Sequence, residues 1–228
     1  MTLQVLAGGG MTAPLMEIGT LFEAATGYKV AFHFGATPQL IKLATSGNQS
    51  FDLAVVPREV FSDGGARAHF NPAPTIDVAR VGLGIAVRAG AGKPDIGTPQ
   101  ALRQALLAAT SVAFLPGSAA GAQILKTFEK LGIAKAMKAK TKALAAPSEI
   151  PRAVANGEAE LGLFILNVLK APGVELVGPF PAELQQNVVY TTAVGVNAAD
   201  ADAARQFIDF LRAPAAVAVI RSQGMTPV

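Results

Sequence analysis

The chain has 228 residues, of which 51% are apolar and 15% charged; its formal net charge is +3 and it contains no cysteine. This composition excludes a disordered chain, and the length suffices for one large domain or two smaller lobes. The absence of cysteine excludes disulfides, thiolate zinc sites, iron–sulfur clusters and cysteine nucleophiles. With only two histidines, a multi-histidine metal site is also disfavoured, so we expect neither a metal nor a cofactor.

The charge distribution bears on partners and compartment. The densest basic stretch, residues 126–142, is interpreted as a solvated helix face and its exit loop, because a chain with no tryptophan and two tyrosines lacks the interleaved aromatic residues of nucleic-acid surfaces. A mild positive balance favours a small anionic ligand. No apolar run reaches the roughly 18 residues of a membrane span, and the first residues lack the features of a signal peptide. We therefore expect no nucleic acid and no membrane insertion, and a periplasmic location if a leader was removed or a cytoplasmic one if Met1 is the native start.

The first part of the chain alternates short apolar runs with helical patterns. Strands are predicted at residues 3–7, 29–34 and 51–57, and helices at residues 11–25 and 39–45. Thr37 and Pro38 are typical of the cap and first position of the second helix. Three strands joined by two helices in under sixty residues favour parallel βαβ units and an α/β sheet.

The rest of the chain also alternates predicted strands and helices, and it contains two longer apolar segments that are predicted to be strands. Predicted strands and helices follow in order: strand 78–89, helix 99–108, strand 111–115, loop 116–121, helix 122–131, helix 148–156, strand 161–165, strand 188–196, and helices 201–211 and 214–223. The two long strands predict a chain that crosses between lobes twice. We expect lobe 1 to comprise residues 1–80 and 192–228 and lobe 2 residues 81–191, with a hinge near 78–89 and 188–196 that closes the lobes around a ligand.

Ligands of open α/β sheets bind beyond the carboxyl ends of the strands, where unpaired amides of helix starts attract anions. Four small-residue segments occupy such positions: residues 8–12, 35–37, 57–58 and 117–121. In the first, Gly9 and Gly10 would let backbone amides approach a ligand and the Thr12 hydroxyl would donate to it. The alternative is a strand–helix turn that needs glycine for a positive φ.

Two charged or titratable residues stand out among these segments. Arg58 follows a buried strand directly, and its guanidinium suits carboxylates and oxyanions; the alternative is a surface ion pair with Glu59 or Asp63. His33 lies inside an apolar strand, where a structural role and a catalytic or binding role both remain open. Ser118 is a further candidate donor. No catalytic motif is evident, and no catalytic residue is assigned.

Several segments together resemble a known family. The sequences VLAGGGMT at 5–12, FGATPQLIKLATSG at 34–47, FDLAVVP at 51–57, LGL at 161–163 and FLRAPAAVAVIRSQG at 210–224 are similar in order and spacing to periplasmic molybdate-binding proteins. These belong to the type II solute-binding proteins of ABC transporters. The resemblance implies a two-lobed α/β fold with a two-strand hinge, each lobe a mostly parallel sheet flanked by helices. It also implies an anion held by neutral hydrogen bonds in the interlobe cleft, and an ABC permease as partner. We expect a monomer.

The resemblance also implies where the ligand contacts lie. The family's first binding serine falls at Gly10 and its second at Ala36 or Thr37, and its amide-donating pair is kept as Ala120 and Gly121. Its helix-start valine corresponds to Ile150 and its binding tyrosine to Ile165. Because at least two of three hydroxyl donors are replaced, we expect weaker binding of molybdate, at about 1–3 kcal/mol for each lost partner.

The sequence therefore supports two hypotheses. The first is a non-enzymatic solute-binding protein for a small anion, either an oxyanion or a small organic carboxylate. The alternative is an isomerase on the same fold that acts on a di- or tricarboxylate such as aconitate. In that alternative His33 would be the base and Arg58 would clamp a carboxylate.

Overall fold

The structure is a computed structural model that describes residues 2–47 and 50–228. Met1, on which the expected compartment depends, lies outside the described residues. The chain forms two compact units. Unit 1 comprises the described residues up to Arg80 together with Val189–Val228, and unit 2 comprises Val81–Val188. The second boundary between the units, at Val189, lies three residues before the predicted boundary at residue 192.

Unit 1 contains the first three strands and the C-terminal helices. Its elements up to the first boundary are β1 Thr2–Gly8, α1 Thr12–Thr26, β2 Lys29–Gly35, α2 Thr37–Thr45, β3 Leu53–Pro57, α3 Glu59–Ser62, α4 Gly64–Arg67 and the first part of β4 Ile76–Arg88. In unit 2 follow α5 Pro99–Ala108, β5 Val112–Phe114, α6 Ala119–Lys130, α7 Ala134–Lys140, β6 Thr141–Ala143, α8 Glu149–Ala155, β7 Leu161–Ile165, α9 Leu166–Leu169 and β8 Val174–Pro179. The chain returns to unit 1 through β9 Asn187–Val194, α10 Ala201–Leu211, α11 Pro214–Ser222 and β10 Thr226–Pro227.

The sheet of unit 1 has the strand order β2-β1-β3-β9-β4, with β10 also paired to β4. β1 pairs in parallel with both β2 and β3, whereas β9 is antiparallel to β3. The core beneath the strands contains Phe22, which contacts Phe207 edge-on with ring centroids 5.0 Å apart. The parallel strands place the loops after β1, β2 and β3 at one edge of the sheet.

The sheet of unit 2 is built on the second part of β4. Its order is β4-β7-β5-β6, with β8 also paired to β4. β5 is parallel to β6 and β7, and β7 is antiparallel to β4. Both units are therefore α/β, as the sequence predicts, with helices flanking the sheets. Each sheet combines parallel pairs with antiparallel pairs and so is mixed, where mostly parallel sheets are expected from the resemblance.

The structure differs from the predicted elements mainly at helix starts. Ala36, not Thr37, precedes α2 as its cap, so Pro38 is the second helical residue. The predicted loop 116–121 is shorter because α6 begins at Ala119, capped by Ser118. The short strands β6 and β8 were not predicted, since their half-exposed residues lack a clear alternation of apolar and polar positions.

A buried carboxylate ties three segments of unit 1 together. Asp52 is 4% exposed, and its Oδ2 accepts a hydrogen bond from Gln4 N at 2.7 Å. Its Oδ1 accepts from Ala199 N at 2.7 Å and Asp200 N at 3.2 Å. A single side chain therefore satisfies backbone donors of β1 and of the segment that leads into α10, which would otherwise lie unpaired.

We expect Asp52→Asn to destabilise unit 1, because an amide group replaces one acceptor oxygen and faces backbone N–H groups. The expected loss is about 2–3 kcal/mol of unfolding free energy, measurable by urea denaturation. Asp209→Asn on α10 is the matched control, since Asp209 is exposed. An equal effect of the two substitutions would contradict this role of Asp52.

Candidate functional site

The register of the parallel strands brings three of the predicted segments to one place in unit 1. Gly8 and Gly35, the last residues of β1 and β2, are register partners, and Gly8 lies beside Pro57, the last residue of β3. The loops that carry residues 9–12, 36–37 and 58 therefore start side by side. We call this cluster the unit 1 edge.

Gly8, which precedes the first loop, is required by close approach and not by an unusual backbone conformation. None of Gly8, Gly9 and Gly10 is among the described glycines with positive φ, and Gly8 has φ −67° and ψ 130°. A Cβ at Gly8 would lie 2.7 Å from Tyr190 Cε1 and 3.0 Å from Pro57 Cδ. The alternative interpretation from the sequence, a turn that needs glycine for a positive φ, is therefore wrong.

Tyr190 is the residue against which this loop is packed. Its side chain is 2% exposed and pairs in register with Pro57. Burial, with a further contribution from the negative charge of Glu59, raises the pKa of Tyr190 above its usual range. The phenol therefore stays neutral at physiological pH, and its ring packs beside Gly8 where the loops of the unit 1 edge begin.

Arg58 supplies a cation at this edge. It follows the fully buried strand β3, its backbone N–H donates to Val189 O at 2.9 Å, and its side chain is 56% exposed. The guanidinium pairs with Asp77 on β4, and not with Glu59 or Asp63, the partners considered from the sequence. The carboxylate that holds it comes from a strand that the sequence did not connect to it.

The hydroxyl and amide donors near Arg58 already have partners within the chain. Thr12 is exposed, but its hydroxyl donates to Gly9 O at 2.8 Å. The Ala36 N–H donates to the Gln39 side-chain oxygen at 3.0 Å. Thr37 is half-buried at the start of α2. The Thr12 N–H also donates to Gly9 O, so a ligand at the unit 1 edge would find few uncommitted neutral donors.

His33 lies away from the residues of this edge. It is half-buried on β2, and its Nε2 is 2.8 Å from Gln4 Oε1. Gln4 is four residues before the end of β1. The imidazole therefore leans along the sheet toward the amino end of β1, which is the opposite direction from the loops that carry Gly10 and Arg58.

The fourth predicted segment lies in unit 2, at the start of α6. Ser118 is 8% exposed; its Oγ accepts from Gly121 N at 3.0 Å and donates to Leu115 O at 2.8 Å. Ser118 is thus an N-cap whose one proton is used by the protein. Ala120 is buried in the first turn. A Cβ at Gly121 would overlap the backbone oxygen of Leu115 and lie 2.7 Å from Pro116 Cα.

The two isoleucines that the resemblance nominates are core residues of unit 2. Ile150 is 0% and Ile165 is 1% exposed. Ile150 begins the buried face of α8 and lies against Gly162 of β7. The start of α8 is held by Glu149, whose pKa is lowered because its carboxylate accepts hydrogen bonds from the N–H groups of Ala145 and Ala146.

Within the described residues, no three histidine, cysteine or carboxylate side chains are grouped closely enough to hold a metal ion. No helix in this part of the chain has both the length and the apolar character needed to span a membrane.

Comparison with known proteins agrees with this architecture. Residues 3–226 match the family model described as bacterial extracellular solute-binding protein. The chain belongs to this bacterial extracellular solute-binding protein family. The solved periplasmic molybdate-binding protein of Azotobacter vinelandii superposes with a TM-score of 0.79 at 17% identity, over 98% of both chains. The fold is that of the type II periplasmic binding proteins, as the sequence predicts.

Two curated relatives of this solute-binding protein differ in what they do. It is 32% identical to an aconitate isomerase from Pseudomonas sp., over 100% of this chain and 88% of the relative. It is 27% identical to the molybdate-binding protein ModA of Azotobacter vinelandii, over 97% of this chain and 88% of the relative. The curated relatives of the chain thus include both a binding protein and an enzyme.

We expect Gly121→Ala to destabilise unit 2, because the added methyl group would overlap the backbone that leads into α6. The expected loss is about 1–3 kcal/mol, read as a lower urea midpoint. Gly92→Ala is the control in the same unit, since a Cβ there meets no atom within 4 Å. If Gly121→Ala is as stable as the control, the close approach of this loop to α6 is not a constraint.

Proposed function

We propose that this solute-binding protein captures a small anion at the unit 1 edge and delivers it to an ABC-type permease. The observation that carries the proposal is the exposed guanidinium of Arg58, placed beside the loops that lead into α1 and α2. Helix starts and a guanidinium both favour negative charge. The net charge of +3 adds a mild long-range attraction for anions.

The relatives support a small anion without naming one for this chain. The curated molybdate-binding protein binds an oxyanion, according to its name, and the aconitate isomerase acts on a tricarboxylate. Both ligand classes are negatively charged, which agrees with the chemistry of Arg58. Because the matching family is described as extracellular and the solved molybdate-binding protein as periplasmic, we also propose a periplasmic place of action. That the protein is a monomer stays a prediction.

A thermal-shift panel tests this proposal. Molybdate, tungstate, sulfate, phosphate, citrate, cis-aconitate and L-malate are each added to the purified protein. A true ligand at a hundredfold excess over its Kd stabilises the folded state by about 2.7 kcal/mol, which raises Tm by roughly 5–10 °C for a chain of this size.

Potassium chloride at equal ionic strength is the control for non-specific salt effects. A shift with at least one anion, reduced in Arg58→Gln, is the expected result. If no anion raises Tm beyond the salt control, the protein is not an anion-binding protein of the kind proposed.

An isomerase acting on aconitate is the second candidate function, and the specific observation that favours it is the 32% identity to an aconitate isomerase over the whole chain. Incubation with cis-aconitate, followed by proton NMR, measures interconversion with trans-aconitate directly. His33→Gln is the matched variant, because glutamine keeps hydrogen-bonding capacity beside Gln4 but cannot serve as a base at neutral pH.

Turnover that is lost in His33→Gln would support the enzyme with His33 as base. Turnover that persists in the variant would assign the base elsewhere. No conversion above the protein-free blank would remove this second candidate function.

A further inference from the structure

The guanidinium of Arg58 is held from one side by a carboxylate. Arg58 Nη2 donates to Asp77 Oδ2, and the side chains of the pair are 56% and 27% exposed, respectively. Asp77 lies on β4, nineteen residues further along the chain. The contact is therefore made by the tertiary fold of unit 1 and not by a local turn.

Asp77 is itself fixed by a second strand. Thr191 Oγ1 donates to the other carboxylate oxygen, Asp77 Oδ1, at 2.5 Å. Thr191 is 0% exposed and lies on β9, the neighbour of β4 in the sheet. Each oxygen of Asp77 thus has its own partner, and the carboxylate has one orientation in which both hydrogen bonds form.

Stability alone does not explain this arrangement. An exposed ion pair contributes little to folding, because water already solvates both charges. The guanidinium has five N–H donors, and Asp77 is hydrogen-bonded through Nη2. The Arg58 side chain is 56% exposed, and a guanidinium bound to one carboxylate keeps N–H donors with which it can bind a second anion.

We propose that Asp77 and Thr191 are positioning residues that present Arg58 to a carboxylate group of a small organic acid. The proposal rests on the function proposed above and names the ligand class. Arg58 makes the contact with the ligand, Asp77 sets the plane of the guanidinium, and Thr191 fixes Asp77.

The donors at the unit 1 edge favour a carboxylate over a compact oxyanion. A tetrahedral oxyanion presents four oxygens, and in a desolvated site each one left without a donor costs binding free energy. The Thr12 hydroxyl and the Ala36 N–H already donate within the protein. A carboxylate presents two oxygens in one plane, which match two parallel N–H groups of a single guanidinium.

Positioning acts through conformational entropy and geometry. An unrestrained arginine side chain loses rotamer freedom when it binds, and each ordered side chain costs about 0.5–1.5 kcal/mol. That range corresponds to roughly a two- to thirteenfold change in Kd. Asp77 and Thr191 remove this cost before the ligand arrives, so their loss should weaken binding without removing the cation.

The experiment measures Kd by isothermal titration calorimetry for citrate, cis-aconitate and L-malate, with molybdate as the oxyanion. The informative pair is Thr191→Val against Thr191→Ser, because valine keeps the buried shape and serine keeps the hydroxyl. For the carboxylate that binds tightest we expect a Kd increase of about two- to thirteenfold in Thr191→Val and in Asp77→Asn, with wild-type affinity in Thr191→Ser.

Arg58 variants test the contact itself. Arg58→Lys keeps the charge but loses the planar fork, and we expect at least about a tenfold increase in Kd. In an Arg58→Gln background, Thr191→Val should have no further effect, since there is no guanidinium left to position. Arg221→Gln on α11 is the control for removing an exposed arginine.

A second readout does not need a ligand. In ¹⁵N-arginine spectra, the Nη protons of a guanidinium fixed by Asp77 should exchange and rotate more slowly than those of Arg221. This difference should vanish in Thr191→Val and Asp77→Asn but persist in Thr191→Ser. A change in folding alone would affect the spectra of all arginines together.

The outcomes separate this inference from the proposed function. Binding of a carboxylate that is equal in Thr191→Val and Thr191→Ser would overturn the positioning roles and leave the anion-binding function standing. Tight binding of molybdate with no carboxylate binding would overturn the ligand class while also leaving that function standing. The absence of binding by all four anions would overturn the carboxylate ligand and the positioning roles. The anion-binding function itself would be overturned only if tungstate, sulfate and phosphate also failed to raise Tm.

Discussion

Parallel pairing of β1 with both β2 and β3 is the constraint from which the candidate site of unit 1 follows. Parallel strands end at the same side of a sheet, so three loops that are far apart in the sequence start next to one another. The pairing of Gly8 with Gly35 and the approach of Gly8 to Pro57 fix this arrangement. A side chain at Gly8 would displace Tyr190 and separate the loops. Gly8 thus serves the packing that places Arg58.

The chemistry of the edge depends on which donors the fold has already used. Thr12 and Ser118, the hydroxyl residues that the sequence nominates most directly, donate to the carbonyl groups of Gly9 and Leu115. Arg58 differs, because a guanidinium retains donors after one carboxylate has been bound. A binding protein built on this edge would rely chiefly on one oriented cation, and would favour ligands that need few donors.

Much of the fold could be predicted from the sequence, because strong apolar runs and helix caps are local signals. The run at 51–57, for instance, predicts a buried strand, and Arg58 directly after it predicts a cation at a loop. The helix starts at α2 and α6 were displaced by one to three residues, because several small residues in a row can each act as a cap. Local sequence does not distinguish between them.

The partners of Arg58 could not be predicted in the same way. Asp77 and Thr191 are 114 residues apart, and only the pairing of β9 with β4 brings them together. The sole local signal is a polar residue between Ile76 and Val78 at the start of an apolar strand, which is also typical of a solvent-facing position. Sequence spacing gives no information on such a long-range pair, because the whole of unit 2 lies between the two residues in the chain.

A crystal structure of the protein with cis-aconitate or citrate is the most direct test of anion capture by an oriented arginine. We expect a carboxylate of the ligand within hydrogen-bonding distance of two Arg58 nitrogens, with Asp77 still bound to Nη2 and to Thr191. A ligand held elsewhere in the chain, or Arg58 turned away from it toward solvent, would contradict this view of the site.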